Sequence, residues 1–179
     1  MIKRVSVVIL LGTLALAAML SAQNPPPMPK PAPELKKLDY FAGNWKLEGD
    51  NKPGPMGPAG KWSGSEHNEW MEGGFFLVLH SEFNSAMGTG KGTAFMGYDA
   101  EKKVYTYHEF STMGEAVDSQ GMLDGDTWTW TSQEKMGGNV FNTRFVIKQV
   151  SPTSYTLKFD MGPAGGELVN FMEGKATKQ

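Results

Sequence analysis

Four residues carry the chemistry this sequence offers a small molecule: His108, Arg144, Trp128 and Trp130. His108 alternates with Val104, Thr106 and Phe110, while Tyr105, Tyr107 and Glu109 take the opposite phase. If the first of those faces lines an interior, His108 is a polar point in a largely apolar wall. Arg144 alternates with Val140, Asn142 and Val146, and is a second such point on the same reasoning. Trp128 and Trp130 share a phase in Thr127-Trp128-Thr129-Trp130-Thr131, and two indoles so placed can stack on a ligand. An apolar pocket with a few placed polar groups is the usual form of a small-molecule site. The plainer alternatives are a hydrogen-bonded core histidine, an arginine lying along an outer face, and an indole pair that simply packs core.

Other constellations explain less. His67 and Glu69 share a strand phase, as metal ligands can, but Lys61, Ser63 and Ser65 share it too, which marks a solvated outer face. Gly88-Thr89-Gly90-Lys91-Gly92-Thr93 lacks the spacing of a phosphate-binding loop, and no helix follows it. There is no Gly-x-Ser-x-Gly elbow. Glu109, Glu115 and Asp118 fall near one turn, where solvation accounts for them. Nothing nominates a nucleophile or a paired acid and base, so an enzyme ranks third among the readings.

The elements that must position these residues are strands. Lys61 to Met71 alternates between unlike faces. Phe75–Phe83, Thr89–Tyr98, Val104–Phe110 and Glu115–Leu123 follow, separated by Gly-rich or polar turns. Asp124-Gly125 is a two-residue hairpin signal, because a type I′ turn needs positive φ. Thr127–Thr131, Val140–Val150, Tyr155–Met161 and Glu167–Glu173 complete the series. With Trp45–Gly49 as the first, about ten strands form a meander, and short loops require antiparallel neighbours. An open sheet of that size leaves two exposed edges, whereas closure into a barrel removes them. The expected fold is therefore an all-β, antiparallel up-and-down barrel with a short N-terminal helical turn over Glu34–Phe41, where Leu35, Leu38 and Phe41 recur every third residue. Met56-Gly57-Pro58-Ala59-Gly60 is echoed by Met161-Gly162-Pro163-Ala164-Gly165. In a closed meander those two loops share one rim.

The first residues have a different purpose. Met1-Ile2-Lys3-Arg4 precedes an apolar run from Val5 to Leu20 and then Ser21-Ala22-Gln23. That order makes a signal peptide cleaved after Ala22, and the run is shorter than the ~20 residues a membrane-spanning helix needs. Residues 1–22 are thus read as the signal peptide, 23–34 as a Pro-rich linker and 35–177 as a single domain. The chain of 179 residues contains no Cys, so neither a disulfide nor a lipid-modified N-terminal Cys is available. An exported, periplasmic or secreted domain of this kind must be stabilised by its core. Acidic residues exceed basic ones, 19 to 17, with no basic cluster, which argues against nucleic acid as a partner. No stable membrane anchor is expected after cleavage.

The short helical turn leading into Gly43-Asn44-Trp45 resembles the Gly-x-Trp start of lipocalin-like (calycin) barrels. LDYFAGNW, Met71-Glu72-Gly73-Gly74-Phe75, and Gly97-Tyr98-Asp99 followed by Lys102, Lys103 and Tyr105 resemble a bacterial secreted domain-of-unknown-function family (number 1579). The resemblance spans Leu35 to Lys175 and implies structural roles for Gly43, Trp45, Gly97, Tyr98 and Asp99. Nitrobindin-like barrels are a more distant likeness and imply haem held by a His near the chain end. LVNFMEGKATKQ contains no His, so no cofactor is expected. The expected function is binding of a small, largely apolar molecule inside the barrel. The alternative is a non-catalytic envelope or stress module with a packed barrel, whose Met-bearing turns meet a protein partner. Leu38–Trp45 is expected to plug one end, leaving a site to open at the other.

Overall fold

A computed structural model describes residues 28–54 and 57–179. The expected signal peptide, its cleavage point and the first part of the Pro-rich linker lie outside the described residues, as do Pro55 and Met56. Pro31–Gln179 forms one compact unit.

A 3₁₀ helix, Pro33–Phe41, leads the chain in. At three residues per turn its spacing puts Leu35, Leu38 and Phe41 on one face, and all three are buried. The strands β1 (Gly43–Asn51), β2 (Gly60–Trp70), β3 (Leu77–Ser85), β4 (Gly88–Asp99) and β5 (Val104–Ser111) follow. β6 (Ala116–Asp124), β7 (Thr127–Met136), β8 (Asn139–Ser151), β9 (Ser154–Pro163) and β10 (Val169–Lys178) complete the sheet. Each strand pairs antiparallel with the next, and β1 also pairs with β10, closing a ten-stranded barrel. The family's barrel expectation therefore holds. β10 runs on to Lys178, beyond the expected Glu173, because its last residues pair with β9 on one side and β1 on the other.

The helix closes one end of the barrel and is fastened by side chains from several strands. Trp45 Nε1–H and the Asn68 amide both donate to the Phe41 carbonyl, at 2.8 and 3.0 Å. Trp70 Nε1–H donates to Asp39 (2.9 Å), and the Tyr105 hydroxyl to the Glu34 carbonyl (3.1 Å). The Tyr40 hydroxyl donates to the carbonyls of Ser151 and Ser154 in the β8–β9 turn, at 2.9 and 2.8 Å. Carbonyls and donors at the helix end that would otherwise be orphaned are thereby satisfied. Below the helix lies the apolar core, including Trp45, Leu77, Leu79, Met96, Tyr105, Trp128, Trp130, Ile147, Tyr155 and Leu157.

The motif residues account for the corners at this end. Gly43 starts β1 with φ +106, a value that L side chains rarely adopt. Tyr98 faces inward with its ring edge-on to Tyr105, centroids 5.0 Å apart. Asp99 accepts the backbone N–H groups of Glu101 and Lys102, both at 3.0 Å, and so shapes the β4–β5 turn. Phe76, just after the Gly73-Gly74 turn, lays its ring over Gly97.

No helix of the described residues covers the opposite end. Because β1 pairs with β10, the β1–β2 and β9–β10 loops lie on this one rim, and Lys52 N–H, just after β1, donates to the Phe171 carbonyl on β10 at 2.8 Å; Met56 of the first Met-Gly-Pro-Ala-Gly motif lies outside the described residues. Partway along the barrel Trp62 lies across Gly49 and Gly174, which face each other on β1 and β10. A Cβ at position 49 would sit 2.1 Å from the Glu173 carbonyl oxygen and 2.8 Å from the Trp62 ring. Gly49→Ala is therefore expected to cost about 1–3 kcal/mol by overpacking, seen as a lower urea midpoint at unchanged slope.

Candidate functional site

Inward-facing side chains divide into two layers. Most of those near the plug are buried, with Trp70 and Tyr98 partly so. Those toward the opposite rim point inward and yet keep accessible surface: Trp62 and Glu66 on β2, Ser81 and Phe83 on β3, Tyr107 and Glu109 on β5, Glu134 on β7, and Phe145 on β8. Strand alternation fixes each of these phases. This upper half of the lumen is the candidate site.

Its floor is aromatic. Trp128 and Trp130 stack at 5.9 Å with their planes 6° apart, as their shared phase predicts. Their surfaces are already occupied: Trp128 meets Phe41 at 5.4 Å and Tyr105 at 4.7 Å, and Trp130 meets Tyr107 at 5.8 Å. At 0% and 3% exposure, the pair packs core beneath the accessible layer.

The expectation that His108 and Arg144 line the interior is corrected. Both stand on the outer face. His108 Nδ1 lies 2.5 Å from Asp118 on the neighbouring strand, with its side chain 46% exposed. β5 is inverted relative to the expected phase because Tyr105 and Tyr107, the bulkier pair, turn inward. Val104, Thr106, His108 and Phe110 turn outward, and Phe110 is 61% exposed. Arg144 follows from the same rule, since Thr143, Phe145 and Ile147 face in. Its Nε and Nη2 donate to Asp160 Oδ2, at 3.1 and 2.7 Å. Burial alone would raise the Asp160 carboxyl. Hydrogen bonds from Arg144 and Asn170 and the Lys158 charge outweigh it and hold the group below its ordinary range. His67 and Glu69 also lie outside, 3.8 Å apart.

The charged groups that do enter this half of the lumen are carboxylates. At one level of the barrel, Ser81 pairs with both Glu66 and Gly92. The missing side chain at Gly92 leaves room for two neighbours: Glu109 Oε1 and Ser81 Oγ lie 2.6 and 2.8 Å from the point a Cβ would occupy. The Tyr107 hydroxyl donates to Glu109 at 2.7 Å. Asn68, 2% exposed, donates to Glu66 at 3.2 Å and has no donor for its own Oδ1 among the described residues.

Desolvation raises the Glu66 carboxyl above its ordinary value; the Asn68 hydrogen bond opposes this and the Glu109 charge adds to it. Burial likewise raises Glu109, against the pull of its Tyr107 hydrogen bond and with help from Glu115 and Glu134. Burial, then the Glu109 charge, drives the Tyr107 phenol well above its usual range. The reading of Glu109 as a carboxylate of a solvated turn is corrected, since it lies on the inward phase of β5; Glu66 was not singled out, although it shares its phase with Trp62 and Trp70.

Among the described residues no three His, Asp or Glu side chains are grouped to share a metal ion. None of the three histidines points into the lumen. A hollow of about 900 Å³ lies instead on the outer face, where Glu48, Asp50, Lys61, Lys158, Glu173 and Lys175 wall a floor formed by Gly49 and Gly174. Its charges are largely paired: Lys61 with Asp50 at 2.6 Å, Lys175 with Glu48 at 3.0 Å, and Lys52 with Glu173 at 3.9 Å. Exposed pairs of this sort are ordinary surface chemistry.

The chain belongs to the family described as "Protein of unknown function (DUF1579)", whose profile matches residues 30–178. No curated protein matches it. Among solved structures, Rv2717c from M. tuberculosis has a TM-score of 0.61 at 14% identity, over 84% of this chain and 99% of that one. The S-type phycobiliprotein lyase CPES from Guillardia theta has a TM-score of 0.53 at 11% identity, over 80% and 91%. At these identities the likeness is one of fold.

Proposed function

We propose that this member of the family is an exported barrel that holds a small, largely apolar molecule in the half of its lumen away from the plug. One observation carries the reading: inward-pointing side chains away from the plug, Trp62, Glu66, Tyr107 and Glu109 among them, keep accessible surface, whereas most of those beside the plug are buried. Apolar walls with few polar groups suit a small molecule. Export rests on the order of charges and apolar residues in Met1–Gln23. No reaction is assigned.

Intrinsic tryptophan fluorescence, titrated with long-chain alcohols, steroids and aromatic amphiphiles, tests the reading. Saturable quenching by at least one class is expected; quenching by none would overturn it. Trp62 supplies the most accessible indole of the wall. Trp62→Ala is expected to raise the Kd of the best ligand roughly two- to tenfold, the value of one aromatic contact, in calorimetric titration.

A second reading has its own observation. Met87 (53% exposed), Met113 (48%) and Phe110 (61%) surround the opposite rim. Adaptable apolar side chains there suit a protein partner. Capture of a defined partner that is lost in Met87→Lys/Met113→Lys, with ligand binding intact, would favour it.

A further inference from the structure

The charged side chains that face the accessible half of the lumen are of one sign. Glu66, Glu109 and Glu134 face the accessible half of the lumen, whereas all three histidines, Arg144 and Lys61, Lys91 and Lys175 stand on outer phases. Lys178 alone among the strand lysines has its ammonium over an interior ring, 5.4 Å from the Trp45 centroid, and that is at the plugged end. Among the described residues no cation offsets the inward carboxylates.

We propose that the lumen takes an amphiphilic cation: an apolar body carrying a protonated amine, whose head is held by Glu66, Asn68 and Glu109. The inference rests on the ligand-binding reading above and fixes the chemistry of the ligand. It reverses the head group that an inward His108 and Arg144 would have selected.

The geometry matches an ammonium on three counts. An ammonium has three donors and no acceptor, and the site offers acceptors in excess. Glu66 carries accessible surface inside the barrel, and Glu109 is brought beside Ser81 over the space left at Gly92. Asn68 is the second observation, independent of charge. Its nitrogen is committed to the Phe41 carbonyl and to Glu66, and the buried Oδ1 of the same amide group that holds Glu66 is left without a donor among the described residues. A buried acceptor without a partner is costly, and a ligand donor relieves it. The faces of Trp62 and Tyr107 can add cation–π attraction. The unpartnered Trp62 Nε1–H is a neutral donor and does not offset two carboxylates. A ligand carboxylate, by contrast, would enter a field of like charge.

The test uses three probes that share one chain and differ only in the head: decylamine, decanol and decanoate, titrated calorimetrically at pH 7 into the protein. Decylamine is expected to bind at least about tenfold more tightly than decanoate, as charge-assisted hydrogen bonds in a partly desolvated site require, with decanol between them. In Glu66→Gln/Glu109→Gln the preference should collapse while the decanol affinity stays; Glu109→Gln alone should lose part of it. Both substitutions remove buried charge and preserve shape, and thermal melting verifies folding. Equal binding of amine and carboxylate, or a preference that survives the double substitution, overturns the cation assignment and leaves the cavity reading standing. Failure of all three probes, decanol included, overturns both.

Discussion

Trp45→Ala is expected to destabilise the domain by about 3–5 kcal/mol, the usual cost of truncating a buried indole. Trp45 is 1% exposed. Its ring lies 4.9 Å from Tyr155 and 5.7 Å from Tyr40, beneath the Lys178 ammonium, and its N–H holds the last carbonyl of the plug helix. Alanine leaves a cavity between helix and barrel and removes one of the bonds that seat the helix. Because total stability for such domains is about 5–15 kcal/mol, a large part of it is at stake. Urea unfolding measures the loss, and a change under about 1 kcal/mol would mean that the plug bears little of the fold. Ligand affinity, measured where the variant remains folded, should be nearly unchanged. Trp45 belongs to the sealed layer, and Trp62, Glu66 and Glu109 belong to the other.

The sequence showed the barrel plainly because period-two alternation and Gly-marked turns are local. Leu35, Leu38 and Phe41 at intervals of three marked a short helical turn, which the structure shows to be 3₁₀. The site was harder, for a physical reason. Deciding which phase of a strand faces inward needs a contrast between its two faces, and β5 has little. Val104 and Phe110 are as apolar as Tyr105 and Tyr107, and each face carries one imidazole or carboxyl group, His108 on one and Glu109 on the other. What decided the matter lies far along the chain: the Tyr105 hydroxyl reaches the Glu34 carbonyl, and Gly92 on the neighbouring strand makes room for Glu109. The stronger contrast on β2, with Trp62 and Trp70 in phase with Glu66, was readable and pointed the right way. Arg144 misled because Val140 and Val146 suggested an apolar face, whereas the guanidinium has a buried partner in Asp160 on the outside.

Glu66 puts an opposite sign on stability. Glu66→Gln is expected to stabilise the domain at neutral and alkaline pH. Desolvation raises the folded-state carboxyl above its ordinary value of 4.5, with the charge of Glu109 adding to the effect. Above the raised value Glu66 is charged in both states and only the folded state is penalised. Below 4.5 it is neutral in both, and the penalty is gone. The wild type should therefore gain stability as pH falls from neutral through the raised value, and lose that gain on the way back up. Glutamine keeps an acceptor for the Asn68 amide and carries no charge, so its advantage should be largest at pH 8 and vanish near pH 4. Asp160 works in the opposite direction: its lowered value means that its stabilisation fails only below the ordinary 3.8, outside that window. Thermal melts of the two proteins across pH 4–8 separate these effects, since each kcal/mol moves the midpoint by about 2–4 °C in a domain of this size. If the variant instead melts lower at pH 8, Glu66 is a satisfied structural carboxylate. A ligand cation beside Glu66 would relieve the same desolvation penalty that glutamine removes.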